Sequence, residues 1–429
     1  MNTLAASDLI PTAGRTDRWL RGRLIAQLSG LRGRLQLSDA LGTVELGNAP
    51  GLEPVVRLEV LDPAFYRALA ANGSVGAGDA YVEGLWRCGA AGMSASDALV
   101  ALIRLLVRNR DLLDGLETGL ARLGGVALRA WEAMRRNTRA GSRRNVAAHY
   151  DLGNDFFALF LSPDLMYSAA LWNGEDDTLE AASTRKLDAI CRQLRLTPAD
   201  HIVEIGTGWG GFALHAARHY DCRITTTTIS REQHALAKER VATAGLADRI
   251  NVRLDDYRDL TGRYDKLVSI EMIEAIGASY LDTYFGRVDR LLKPDGLALV
   301  QAITIEDHRY AQALRSVDFI KRHVFPGSFI PSVSAMLAAK TRASRLGLVA
   351  LRDFGDSYAR TLEAWRRRFL ARLPQVRALG FDERFIRMWE LYLAYCEGGF
   401  RERSIGVAHL LLAKPGWRGT QPTPGDIAA

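Results

Sequence analysis

The stretch HIVEIGTGWGG, residues 201–211, decides the reading of this chain. His201–Ile205 is a short apolar run of the kind that forms a buried strand, and Gly206–Gly211 is a glycine loop. Phe212–His219 then has helical character. Outward from this unit the pattern repeats. Arg223–Ile229 is a β-branched strand, Arg231–Ala244 a helix, Arg249–Leu254 and Asp265–Ile270 strands, Tyr280–Leu292 a helix and Leu297–Ile305 a strand. Alternating strands and helices predict an α/β domain with an open, mostly parallel sheet covered by helices.

Gly206, Gly208 and Gly211 satisfy the GxGxxG spacing of dinucleotide sites, a weak signal by itself. A dinucleotide site also wants an acid at the end of the second strand, to hold the ribose hydroxyls. Here that strand ends Thr225-Thr226-Thr227-Thr228-Ile229-Ser230, without a carboxylate. Three features favour S-adenosylmethionine (SAM) as the ligand. Glu204 stands two residues before Gly206, giving the E-x-G-x-G pattern of SAM methyltransferases. Asp255, Asp256 and Tyr257 lie just past the third strand, where an acid and an aromatic can hold and cover an adenine. Leu291-Leu292-Lys293-Pro294-Asp295-Gly296 forms a helix end and turn before a strand, as found late in that fold.

Composition narrows the class. With 48% hydrophobic and 24% charged residues, the chain can build packed cores and is not a disordered polymer. The net charge of +7 rests on 49 Arg against seven Lys. That bias is read as compositional and not as a nucleic-acid footprint. Cys88, Cys191, Cys222 and Cys396 form no CxxC pair and no metal-ligand spacing. No disulfide framework and no metal site is expected, and a reducing, cytoplasmic setting fits. The first residues lack a secretory pattern, and no apolar run is long enough to span a bilayer, so any membrane contact is expected to be peripheral.

Residues 1–125 read as a small α+β domain. Leu35–Leu46 and Val55–Leu61 are expected strands, glycine-punctuated Asn72–Trp86 a tight turn feeding a helix or strand packed by Tyr81 and Trp86, and Ser94–Arg110 a helix. Residues 126–144 read as a basic linker: Trp131–Arg144 carries five Arg against one Glu. Such a segment is a solvated connector or a patch facing anionic lipid head groups. Residues 145–429 form the catalytic domain in this reading, with His308–Gly380 as a helical cap whose Phe319, Phe325 and Phe329 are candidate tunnel walls.

Ten stretches now resemble a named family. They are NGSVGAGDAYVEGLW (72–86), HYDLGNDFF (149–157), MYSAALW (166–172), EIGTGWGG (204–211), TISREQ (228–233), DDYRDL (255–260), VSIEMIEAIG (268–277), VFPGSFIPS (324–332), FGDSYARTLEAW (354–365) and YCEGGFRERSI (395–405). In this order they resemble the cyclopropane-fatty-acyl-phospholipid synthases, which include the mycolic acid cyclopropane synthases. The resemblance implies a SAM-dependent methyltransferase (Rossmann-like) fold: a mixed, mostly parallel seven-stranded sheet with a helical cap. It also implies methylene transfer from SAM to a cis double bond in a membrane phospholipid. The intermediate is a carbocation that must lose a proton to close the ring, with bound bicarbonate as the base. A homodimer at the inner membrane face, and no nucleic-acid partner, complete what the resemblance implies.

Carried over residue by residue, the SAM site takes Tyr167, Ser168, Glu204, Gly206, Gly208, Thr228, Ser230, Gln233, Asp256, Tyr257 and Arg258. The catalytic pocket takes Glu274 beside the bicarbonate, Tyr358 facing the cation and the anion, Ile303, and Cys396. In the motif HYDLGN, His149 and Tyr150 open a lid, with Asp151 and Asn154 capping a helix at Asp155–Phe160. The chain departs from the family pattern at Ala169, where many members have Cys, and at Ala275 and Gln301, where many have His. Gln301 can only hydrogen-bond where a His could also change charge. Two alternatives follow: a fatty-acyl C-methyltransferase leaving an exomethylene or branched product, and a catalytically weak SAM- and lipid-binding protein.

Overall fold

The computed structural model describes residues 13–47, 55–114, 141 and 152–420. The chain forms two compact units, one from Met1–Ala130 with Gly380–Glu402, the other from Trp131–Leu379 with Arg403–Ala429. The basic linker segment, and His149, Tyr150 and Asp151, lie outside the described residues.

The first unit holds a four-stranded sheet of order β2-β1-β3-β4. Its strands are β1 (Leu35–Asp39), β2 (Gly42–Leu46), β3 (Val56–Val60) and β4 (Trp86–Ala90). The single strand expected over Leu35–Leu46 is a hairpin. Asp39 Oδ1 accepts the Leu41 N–H at 2.9 Å, and Gly42, at φ +114°, turns the chain. In Asn72–Trp86 the tight turn is a single break at Gly73 (φ +57°, ψ −134°) within the helical stretch Ala64–Val82, and it feeds the rest of that helix and then β4. Tyr81 and Trp86 do pack together, ring centroids 4.9 Å apart.

The helix Glu383–Arg401 belongs to this unit, although sequence reading kept it in the catalytic domain. It packs on the helix Ala95–Arg108, and the contact is close because Gly398 has no side chain: a Cβ there would stand 2.6 Å from Ile103 Cγ2. Glu402 binds the guanidinium groups of Arg104 and Arg108, each at 2.6 Å. These contacts join residues about three hundred positions apart, so no local pattern announces them.

The second unit is a seven-stranded sheet of order β10-β11-β9-β8-β5-β6-β7. In chain order the strands are β5 (His201–Ile205), β6 (Arg223–Thr227), β7 (Ile250–Arg253), β8 (Tyr264–Ile270), β9 (Leu292–Ile305), β10 (Gly347–Asp353) and β11 (Ile405–Ala413). β7, β6, β5, β8 and β9 are parallel; β11 runs antiparallel to β9, and β10 antiparallel to β11. This is the mixed, mostly parallel sheet of the SAM-methyltransferase fold. Helices Leu179–Leu194 and Gly211–Tyr220 pack on one face, and Leu281–Leu291 and Val333–Ala343 on the other. Both faces are therefore dry, which is why β5 reads as a continuous apolar run.

Two expectations are corrected here. The segment His308–Gly380 is not wholly helical: strand β10 lies between the helices Val333–Ala343 and Gly355–Ala371. The helix Asn154–Ala158 is capped by Gly153, not by Asn154, whose Oδ1 instead accepts the Trp209 indole N–H at 2.6 Å. No described helix is long and apolar enough to cross a membrane. Strand order reverses direction around β5, with β6 on one side and β8 on the other, so the carboxyl ends of these strands open a crevice.

Filling the gap at Gly398 tests the discontinuous packing of the first unit. Gly398→Val should lower stability by about 1–3 kcal/mol, the usual cost of overpacking, read from the urea midpoint of the full-length protein.

Candidate active site

A cavity of about 150 Å³ opens at the carboxyl ends of β5, β6 and β8. Its floor is the glycine loop. The N–H groups of Gly206 and Thr207 both donate to the Thr227 carbonyl, at 3.0 and 2.9 Å, which ties the loop to β6. Gly206 has φ +96°, and a Cβ there would sit 2.7 Å from Met272 Cγ. Gly208 has φ +52°, and a Cβ there would meet no protein atom within 4 Å. The first glycine is thus required by packing, and the second leaves open space for a ligand. Gly211 serves the helix: a Cβ there would collide with the Asp164 carbonyl at 2.7 Å.

Of the eleven residues expected to bind SAM, ten line this cavity: Tyr167, Ser168, Glu204, Gly206, Gly208, Thr228, Gln233, Asp256, Tyr257 and Arg258. Ser230 does not. Its hydroxyl accepts the Gln233 N–H at 3.2 Å and so caps the helix Arg231–Thr243. It acts on the cavity through Gln233, whose Oε1 also accepts the Thr228 hydroxyl at 2.8 Å. Asp256 is fixed by Arg258, whose backbone N–H, Nε and Nη2 donate at 3.0, 2.8 and 2.6 Å. Open glycines, a rigid carboxylate and the Tyr257 ring suit an adenosyl ligand with a flexible amino-acid end.

The cavity wall carries into a cluster of buried and half-buried ionisable groups. Glu204 is 2% exposed and accepts the Thr226 hydroxyl at 2.6 Å. Burial pushes its carboxyl up to about 8. Lys186, fully buried, donates to the Ser168 hydroxyl at 2.9 Å, and its ammonium is pulled down to about 8 by the same loss of water. Glu271 lines the cavity and takes three hydrogen bonds: Ala169 N–H to Oε1 at 2.8 Å, Gln301 Nε2 to Oε1 at 2.7 Å, and the Tyr358 hydroxyl to Oε2 at 2.7 Å. Glu274 Oε1 accepts the Ile303 N–H at 2.6 Å, while its Oε2 has no partner among the described residues. Burial, then the neighbouring Glu271 charge, raises Glu274 to about 8.

Glu274, Gln301, Ile303 and Tyr358, expected at the catalytic pocket, are therefore gathered around Glu271, with Ile303 contributing its backbone N–H. Cys396 is on the helix Glu383–Arg401 of the first unit and does not line the cavity. Sequence reading missed Glu271, Lys186 and the pair Gln193 and His409. Two of these left a signal. Glu271 stands three residues before Glu274 in EMIEA, and Lys186 falls on the apolar face set by Leu179, Ala182, Ser183, Leu187 and Ile190.

His409 orients Gln301. Burial, then the charges of Lys186 and Arg352, pushes its imidazole down to about 3, so it is neutral. Its Nδ1 takes a hydrogen bond from Gln193 Nε2 at 3.0 Å, and its Nε2–H donates to Gln301 Oε1, also at 3.0 Å. This arrangement satisfies every group and leaves the Gln301 amide N–H facing Glu271.

The profile of the family described as mycolic acid cyclopropane synthetase matches residues 137–410. The tuberculostearic acid methyltransferase UfaA1 of Mycobacterium tuberculosis is 35% identical over 390 residues, covering 89% of this chain and 88% of its own. The cyclopropane-fatty-acyl-phospholipid synthase of Escherichia coli K12 is 35% identical over 381 residues, covering 88% and 92%. Among solved structures, the mycolic acid cyclopropane synthase CmaA1 complexed with SAH and CTAB is 30% identical with a TM-score of 0.59, covering 63% of this chain and 98% of its own.

Two predictions follow from the site. Gly208→Ala should weaken binding of S-adenosylhomocysteine by about tenfold or more in titration calorimetry, while lowering the Tm only slightly. The methyl group enters ligand space and touches no protein atom. The second concerns acid. Between the ordinary His value of 6.5 and about 3, the unfolded chain binds a proton at residue 409 that the folded chain does not. Stability is then lost as pH falls through that window, by up to about 1.4 kcal/mol per pH unit. His409→Gln should flatten the Tm profile across this range.

Proposed function

Because the chain belongs to the mycolic acid cyclopropane synthetase family, and is a methyltransferase with SAM as its co-substrate, we propose that it adds a methylene across a cis double bond of an acyl chain in a phospholipid. The observation that carries this reading is the joining of two features in one place. The SAM cleft adjoins a half-buried pair of carboxyls, Glu271 and Glu274, with Glu271 lining the cleft itself.

Such a cluster suits chemistry that passes through a cation. SAM supplies an electrophilic methyl group, and an alkene is a weak nucleophile, so holding the two in line supplies much of the rate. The developing positive charge needs negative or π charge nearby in a dry site. The Tyr358 ring and the carboxylates of Glu271 and Glu274 are proposed to meet that need. Gly206, Gly208, Thr228, Gln233, Asp256 and Tyr257 are proposed to hold the adenosyl and amino-acid ends of SAM. The relative from Escherichia coli, a cyclopropane-fatty-acyl-phospholipid synthase, supports a phospholipid substrate over most of the chain. For an external bicarbonate the support is weaker, since the groups expected to hold it are bonded to Glu271 instead.

A second reading has its own support. The tuberculostearic acid methyltransferase is equally similar, which favours a fatty-acyl C-methyltransferase leaving an exomethylene or branched product. Proton NMR of methyl esters released from unsaturated phospholipid vesicles, after incubation with enzyme and SAM, separates the two. Upfield ring protons are the expected result. Vinylidene protons would establish the second reading, and unmodified chains with SAM binding intact would remove both.

A further inference from the structure

We propose that Glu271 is the general base of the reaction, a carboxylate built into the chain that takes the place of an external anion. This rests on the methylene-transfer reading above. Three positions are involved: 169, 301 and 358. The family resemblance places Glu274 and Tyr358 at a bicarbonate pocket, with Ala169 and Gln301 standing where many members have Cys and His. In the structure the Ala169 N–H, the Gln301 amide and the Tyr358 hydroxyl all point at the Glu271 carboxylate, at 2.8, 2.7 and 2.7 Å. The donors that would grip a free anion are occupied by an internal one.

The backbone is arranged to put it there. Glu271 follows β8 directly and adopts φ +48°, a left-handed conformation that non-glycine residues seldom take. Its N–H donates to the Gln301 carbonyl at 2.8 Å, so Gln301 holds both its main chain and its side chain. Gln301 is oriented in turn by His409 and Gln193. A carboxylate offers about four lone-pair sites, and three are used here. The fourth, on Oε2, is left for a proton, and the residue lines the cavity where SAM binds.

The two neighbouring carboxyls divide the roles. Glu274 has one backbone donor and a bare Oε2, and the Glu271 charge helps to raise it to about 8, so it is protonated at neutral pH. Burial raises the Glu271 carboxyl above the ordinary carboxylate range, but three donors and the Lys186 ammonium oppose that rise where Glu274 has a single donor, so the negative charge of the pair is assigned to Glu271.

The step balances with these parts alone. The π pair of the alkene bonds to the sulfonium methyl carbon as the S–C bond breaks, leaving the neutral thioether and a carbocation. Glu271 then takes a proton from the transferred carbon, and the freed C–H pair forms the second C–C bond of the ring. One positive and one negative charge are consumed, and Glu271 ends as a neutral acid that returns its proton to water after product release.

The test uses the full-length enzyme, SAM and vesicles of dioleoyl phosphatidylglycerol in buffer purged of carbon dioxide. Wild-type turnover should not change when bicarbonate is added. Glu271→Gln should lower kcat by about a hundredfold or more, with KM for SAM and affinity for S-adenosylhomocysteine nearly unchanged. Glu271→Gly should be inactive in purged buffer and regain turnover, saturably, with added bicarbonate. A Glu271→Gln enzyme as active as wild type, or wild-type activity that depends on bicarbonate, would overturn the inference. If the wild type binds S-adenosylhomocysteine but yields no product, the methylene-transfer reading has failed and this inference falls with it.

Discussion

Lys186 has been taken wholly out of water, and much of the second unit is arranged to make that tolerable. An unpaired buried ammonium costs several kcal/mol, so the charge needs partners in fixed places. It finds a hydrogen bond to Ser168 and the nearby carboxyl groups of Glu271, Asp164 and Glu204. These groups come from different parts of the fold. Lys186 lies on the helix Leu179–Leu194, Glu204 in β5 and Glu271 just past β8. The same charge balance fastens that helix to the carboxyl edge of the sheet and lines the ligand cleft. Removing one partner would leave an uncompensated charge, which is why the cluster acts as a unit.

The antiparallel end of the sheet does more than close an edge. His409 in β11 stands opposite Gln301 in β9, in register, and keeps the Gln301 amide pointed one way. Gln301 in turn is paired with Ile270 in β8, next to Glu271. Orientation thus passes sideways across three strands to the reacting carboxylate. A neutral His409 is essential to this, since a charged one would offer two donors and no acceptor for Gln193. Burial supplies the neutrality.

Glu271 and Glu274 show how one local sequence yields two environments. They are three residues apart, on a strand end and the short turn after it, and both are half-buried. The difference lies in their donors: Glu271 meets groups from three distant segments, and Glu274 meets one backbone N–H. Burial raises both carboxyls, and the extra donors favour the charged form at Glu271 over Glu274.

The glycine loop, its strand and the five parallel strands were legible because they depend on neighbours in sequence. Apolar runs, β-branched residues and glycine spacing act over a few positions, and most of the residues expected to hold SAM, such as Glu204, Gly206, Gly208, Thr228 and Asp256, lie at or just after those strand ends. Family resemblance added Glu274, Gln301 and Tyr358, each a recognisable residue in a recognisable motif. It also named an external anion as their partner, because a pattern read position by position cannot show which group fills the space between three distant segments. Only the folded chain brings Ala169, Gln301 and Tyr358 onto Glu271, carries Cys396 away with the helix Glu383–Arg401, and closes that helix on Ile103 through Gly398. Local sequence determined which strands and loops exist. Desolvation and long-range contact, which exist only after folding, decided which carboxylate gathers the donors and what it faces.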